Sequence, residues 1–323
     1  MPVGAANLIP GFGGPAGKVY PQHMAGFLGL PAVGNIYYVD PSAGSDTSND
    51  GSSQNNALAT VSAAYAKATS GNHDVILISP TGGTGRATET TAITWAKRFT
   101  HLVGNAAPTM QDARAGINFG TGGSLSITEN GCLFQNITLT GTADINVPVT
   151  ISGDYNSFLG VDFKGSLNDT TGDDAAARAL YLNGAQENYF GSCSFGSDTF
   201  TRSTTNATIE FASAASRNFF DNCDFRMFVD NAGPVAVLFT GTSAIDRDVA
   251  FRNCSWYAFS ANNATPTTAI MDLSAQSATG HVRILGSAVS QGSTDWEASA
   301  SGRIYMQSYT ATTTAIGLAI NPT

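Results

Sequence analysis

One pattern constrains this chain more than any other: from about residue 119 onward a short segment recurs six times. The copies are LFQNITL (133–139), SFLGVDF (157–163), YFGSCSF (189–195), FFDNCDF (219–225), AFRNCSW (250–256) and RILGSAV (283–289). Their second position holds Phe134, Phe158, Phe190, Phe220, Phe251 and Ile284, at steps of 24, 32, 30, 31 and 33 residues. Three positions on come Ile137, Val161, Cys193, Cys223, Cys254 and Ser287. Two further on come Leu139, Phe163, Phe195, Phe225, Trp256 and Val289. A second apolar-alternating segment precedes each copy by a short turn, as in Leu125/Ile127, Val149/Ile151, Leu180/Leu182, Ile209/Phe211, Val237/Phe239 and a shifted Met271/Leu273. Each repeat is therefore strand, turn, strand and a longer loop, with length variation confined to the loops.

Alternation along a strand turns one face inward, and a single coil cannot bury that face alone. Stacked coils bury it continuously, with like residues above one another. A propeller blade would need about four strands and a period nearer 40–45, and a leucine-rich repeat a denser leucine consensus at 20–29. The spacing predicts an all-β protein, a single-stranded right-handed parallel β-helix with at least six coils over 119–290. Phe134, Phe158, Phe190, Phe220 and Phe251 are expected in one interior column.

The rest of the chain frames this solenoid. Residues 1–35 contain GFGGP (11–15) and isolated apolar residues (Leu8, Ile9, Phe12, Val19, Tyr20, Phe27, Leu28), with no periodicity and few charges. They are expected to form an extended N-terminal arm that buries those residues on a neighbouring subunit. IYYVD (36–40), VILIS (75–79), AITW (92–95) and FTHLVG (99–104) read as strands. Leu58, Val61 and Tyr65 at helical spacing amid alanines, with Thr60 as N-cap, predict a short helix at about 60–69. The β-helix domain is expected to span 36–290. Residues 291–323, with Trp296, Tyr305 and Tyr309, are expected to pack as a tail on the last coil or on a neighbour.

Composition narrows the function. Only 12% of residues are charged and the net charge is −9, so the chain lacks the basic face that nucleic acid or anionic lipid requires. No apolar run approaches the ~20 residues of a membrane helix. The first basic residue is Lys18, so the N-terminus does not read as a secretory signal, and export by that route is not expected. The four cysteines (Cys132, Cys193, Cys223, Cys254) are at least 30 residues apart, which suits neither a disulfide scaffold nor a metal pair. Three share one repeat position, so all four are expected to be reduced core residues.

Other recurrent polar residues read as structural. Asn156, Asn188 and Asn218 share the turn position two before the aligned Phe and predict an asparagine ladder. A second register, Asn136, Asn222 and Asn253, is interrupted by Gly160 and Ser192. Asp162 and Asp224 share a position two coils apart with Ser194 between them, about 10 Å at strand spacing, near Asp221, Arg226 and Arg252. A groove is conceivable there, but surface ion pairs are the expectation. His23, His73 and His101 have no evident partner.

The order YYVD, polar Gly/Asp/Ser loop, Ala-rich helix, strands ending in LVG and F-x-N-C-x-F repeats resembles the pectin-lyase-like β-helix superfamily over about 36–290. The resemblance implies that the helix caps the N-terminal end of the solenoid. It does not imply catalysis, since the superfamily includes lyases, hydrolases, phage tailspikes and non-enzymatic virion proteins. Polygalacturonase-like enzymes pair acids on one coil with downstream Gly-His and Arg-Ile-Lys motifs. Here Asp173-Asp174 and Gly280-His281-Val282-Arg283-Ile284 lie 107 residues apart, more than three coils. Asp173 and Asp174 are expected to be solvated, and His281 and Arg283 to face the surface. No catalytic, cofactor or metal residue is assigned.

The leading expectation is a non-enzymatic structural protein of a tailed bacteriophage. It would be a capsid decoration or cement protein on the outer surface of the virion, made in the bacterial cytoplasm. It would be a homo-oligomer, with a trimer favoured, held to the major capsid protein or another virion protein by the arm. Surface carbohydrate is a further candidate partner. The alternative is a tailspike-type carbohydrate-binding or polysaccharide-degrading β-helix protein, and a secreted pectin-degrading enzyme ranks third.

Overall fold

The computed structural model describes residues 34–83, 85–109, 111–260, 267–276, 279–299 and 301–306. Residues 1–33 of the expected arm, with His23, and the tail from 307 on, with Tyr309, lie outside the described residues.

Within them the chain winds into a right-handed parallel β-helix of three sheets, and every strand pairing is parallel. The first sheet has ten strands, from Ile36–Val39, Val75–Ile78 and His101–Gly104 to Ile304–Met306. The second runs in eight strands from Arg86–Glu89 to Val289–Gln291, and the third in eight from Ala92–Trp95 to Ser293–Glu297. Seven complete turns pass through third, first and second sheet in that order.

The predicted column is present. Phe134, Phe158, Phe190, Phe220 and Phe251 are fully buried. Their rings stack with successive centroids 5.0, 4.7, 4.5 and 4.8 Å apart. Phe163, Phe195, Phe225 and Trp256 form a second stack on the second sheet, at 5.1, 4.9 and 5.6 Å. The two columns meet edge to face, as with Phe195 and Phe220 at 5.7 Å. The ring quadrupole favours the edge-to-face contacts between the columns.

Two corners of each coil are fixed by backbone chemistry. Between third and first sheet, the Asn156 side chain accepts from Cys132 N at 2.8 Å, Asn188 from Asn156 N at 2.9 Å, and Asn218 from Asn188 N at 3.0 Å. These amides thus satisfy buried corner N–H groups of the coil before, which is the expected ladder. Between first and second sheet the corner is two residues long in five successive coils. Its first residue is Asn136, Gly160, Ser192, Asn222 or Asn253, all with φ between 52 and 58°. Gly160 and Ser192 therefore do not interrupt this register. What the column shares is a left-handed backbone, which Gly adopts freely and Asn tolerates.

The helix Val61–Lys67 buries Val61, Ala64 and Tyr65, and Tyr65 stacks on Trp95 at 4.3 Å. Thr60 accepts from Ala63 N as N-cap. The buried Glu89 carboxyl accepts from Val61 N at 2.6 Å, while Lys97 Nζ donates to Tyr65 O at 2.6 Å and Ala68 O at 2.7 Å. Both helix ends are thereby held by charges of the sign its dipole favours.

The solenoid continues past residue 290. Ser293–Glu297 and Ile304–Met306 pair with the coil before them, and Trp296, expected in a tail, is 8% exposed and packs edge-on to Trp256 at 5.3 Å. This coil lacks the Phe-Asn-Cys signature, which hid it in the sequence.

Candidate functional site

A groove of about 660 Å³ runs along the outer face of the second sheet, beside the two-residue corners. Its floor carries Ser194, Asp224, Ser255 and Arg226. Tyr257 and Phe259 line one part and Pro108 and Thr109 of an incoming loop another.

Register explains the floor. Asp162 pairs in the sheet with Ser194, Ser194 with Asp224, and Asp224 with Ser255. Acid and hydroxyl thus alternate at strand spacing, and no two carboxylates are adjacent. Ser194 Oγ donates to Asp162 at 2.7 Å, and Ser255 Oγ donates to Asp224 at 2.6 Å.

Asp162 departs from the surface ion pair expected of it. It is 4% exposed, and Asp112 N donates to it at 2.8 Å. The loop carrying Asp112 is held across the sheet by ion pairs of Asp112 with Arg86 and, at 3.0 Å, with Lys164. Burial outweighs these hydrogen bonds and raises the Asp162 pKa. Asp224 fits the expectation: it pairs with Arg226, which also lies 3.7 Å from Asp198.

The other named residues lie elsewhere. Asp221 and Arg252 form a bidentate pair on the outer face of the first sheet, where Tyr189 Oη donates to Asp221 at 3.1 Å and Arg252 lies over the Phe219 ring. Asp173 is not free in solvent. It accepts from Ser203 and, at 2.7 Å, from Thr204 N, and although burial opposes them these bonds hold its carboxyl below the usual range. Asp174 is exposed. His281 and Arg283 are exposed as expected, His281 edge-on to Tyr305 and Arg283 paired with Asp248.

The four cysteines are free and buried. Cys193 and Cys223 each donate to the carbonyl of the column Phe one coil back, at 3.3 Å. Burial pushes the Cys132 thiol up to about 11 and Cys223 well above its ordinary value. Such thiols are neither nucleophiles nor metal ligands at neutral pH, and among the described residues no cluster of three or more His, Cys, Asp or Glu could hold a metal ion.

His101, unassigned in the sequence, is 5% exposed, and its Nδ1 accepts from Leu133 N at 3.1 Å. Burial lowers its pKa to about 4, with His73 adding to the shift and Asp74 opposing it. The neutral ring therefore carries its proton on Nε2. Nothing in a lone histidine marked it. The signal was its place in a strand run, HLVG, that is buried at every position.

The solved structures to which the chain is similar include a pectate lyase and pectin methylesterases. The chain superposes on the pectate lyase Pel9A with TM-score 0.51 at 17% identity, covering 78% of this chain and 62% of the lyase. A pectin methylesterase variant in complex with a hexasaccharide gives 0.52 at 17%, covering 85% of this chain and 81% of that one. The pectin methylesterase from Aspergillus niger gives 0.50 at 16%, covering 87% and 92%. The chain thus has the pectin-lyase-like right-handed parallel β-helix fold, and at these identities the likeness is one of fold alone. It spans less than two thirds of the lyase's length. No family model matches the sequence, and no curated protein matches it either.

Proposed function

We propose that this chain is a non-enzymatic structural protein of a tailed bacteriophage virion, a decoration or cement subunit on the outer surface of the capsid. The observation that supports this best is the state of the two aligned acids. Asp162 is sealed under the Asp112 loop between Thr138 and Ser194, and Asp224 is bonded to Ser255 and Arg226. Register separates them by two strands, about 10 Å. A general acid and base need access to one reacting bond, and this pair shares none. The core is built within one chain, so the solenoid can stand on a particle while the arm of residues 1–35 joins it to the capsid lattice or to sister copies. The test is to purify particles and locate the chain in them by mass spectrometry and antibody labelling. Absence from intact virions overturns the reading. So does release of reducing or unsaturated ends from host polysaccharide that is abolished by Asp224→Ala.

A specific observation favours a second reading, that the groove binds saccharide without cleaving it. Tyr257 and Phe259 lie with ring centroids 6.2 Å apart, Phe259 is 42% exposed, and Arg226, Asn222 and Asn253 stand beside them. Aromatic faces next to amides and a guanidinium suit an acidic or neutral sugar chain. Calorimetric titration with host surface polysaccharide tests it: binding lost in Tyr257→Ala and Phe259→Ala supports it, and no heat with the unaltered protein removes it.

A further inference from the structure

The charges of the groove on the second sheet are engaged with one another. Among its described lining residues the charged ones are Asp224 and Arg226, and these two form an ion pair. Ser255 Oγ adds a hydrogen bond to Asp224 at 2.6 Å, and Asp198 stands 3.7 Å from Arg226. Arg86 and Lys164, on the same outer face, are held by Asp112. Round the corner, Arg252 is held by Asp221. Arg226 against Asp198 and Asp224 leaves one excess negative charge beside the groove. A ligand carboxylate brought here would give up its hydration and meet no unpaired cation among the described residues, which is a costly exchange.

The groups the groove leaves open are neutral. Asn222 and Asn253 occupy the same left-handed corner position in successive coils, about 4.8 Å apart, and both are exposed. Asn222 Nδ2 donates to Asp221 at 3.2 Å, and Asn253 Oδ1 accepts from Ser287 N at 3.1 Å. That leaves Asn222 Oδ1 as an acceptor and Asn253 Nδ2 as a donor without partners among the described residues. Gln291, exposed and in register with Tyr257 on the neighbouring strand, offers both kinds of group from one amide. Tyr257 and Phe259 alternate along one strand and so present their rings on the same side. Amide donors and acceptors along one margin, with aromatic rings beside them, match a ligand that carries hydroxyls on its edge and C–H groups on its face.

We propose that the groove selects a neutral saccharide and discriminates against one that carries carboxylates, an inference that rests on the saccharide-binding reading above and narrows it to one chemical class. Sugar faces lie on Tyr257 and Phe259, and sugar hydroxyls bond to Asn222, Asn253 and Gln291. Arg226 stays with Asp224 and does not serve as a receptor for a ligand acid.

Calorimetric titration of the full chain with matched probes tests it. The probes are gluco-, manno- and galacto-hexaoses and, for each, the hexuronate made by oxidising its C6 hydroxyls to carboxylates. Salt is held at about 0.15 M, where the overall charge of the chain is screened beyond about 8 Å. The expected result is binding of at least one neutral hexaose, with its hexuronate partner at least about tenfold weaker. Gln291→Lys sets an unpaired cation beside Tyr257 and should narrow that gap by tightening the hexuronate. Equal or tighter binding of the hexuronate by the unaltered chain overturns the proposal and leaves the saccharide reading standing. So does a gap that Gln291→Lys does not change. No heat with either member of any pair removes the saccharide reading, and the proposal with it.

Discussion

A carboxylate on the outside of a stacked solenoid has a neighbour above and below at about 4.8 Å, and what occupies those places decides whether it can ionise. Asp162 lies between Thr138 and Ser194 and Asp224 between Ser194 and Ser255, all hydroxyl residues, with Ser194 donating to Asp162 and Ser255 to Asp224. Replacing Ser194 by Ala removes a donor from a buried acid and is expected to cost about 1–3 kcal/mol, read as a lower urea midpoint. Ser194→Asp, which would stack three acids, should cost more. His101 leads to a pH prediction. Its folded pKa of about 4 lies below the unfolded 6.5, so the unfolded state binds the proton first, and this contribution to stability is present above pH 6.5 and lost as pH falls toward 4. Over that interval the loss amounts to roughly 3 kcal/mol. The raised pKa values of buried Glu89 and Asp162 act in the opposite sense, so the effect is isolated by comparison with His101→Gln, whose stability should fall less over the same interval. The cysteines should titrate as four free thiols under denaturing, non-reducing conditions, and a count of two would contradict the core ladder.

Among the elements, the columns carry the energetics and were also the most legible part of the sequence. Phe220 touches Phe190 and Phe251 in its own column and Phe195, Phe225 and Phe211 across the core. Phe220→Ala should cost about 3–5 kcal/mol in chemical denaturation, with the fold retained. The corner column gives a sharper test, because Ser192 has φ 52°. Ser192→Gly is expected to hold or raise stability, while Ser192→Val, β-branched at a left-handed position, should lose about 1–2 kcal/mol. The repeat placed the Phe and Cys columns correctly because identical environments select identical side chains. It undersold the corner because backbone conformation is shared by Asn, Gly and Ser, which look unrelated as letters. It misjudged Asp162 because the loop that buries it comes from Asp112, 50 residues earlier, a contact outside the repeat. Trp296 was expected to pack on the last coil and does, but that its segment is itself a strand of a further coil was hidden, because that coil keeps the packing while losing the signature.

At the scale of the whole molecule, each coil is held by the one before it, and the helix at 61–67 closes the first. The folded solenoid should therefore survive removal of residues 1–33, with cooperative melting retained. The three parallel sheets have a mechanical consequence. Their hydrogen bonds run between coils, along the axis of the solenoid, so a pull from one end to the other loads the coil junctions in series and the weakest sets the limit. A sideways load is shared by many junctions at once. A subunit built this way resists shear across its flank better than tension along its length, which makes the point of attachment, near one end or along one side, decisive for how much force it can bear.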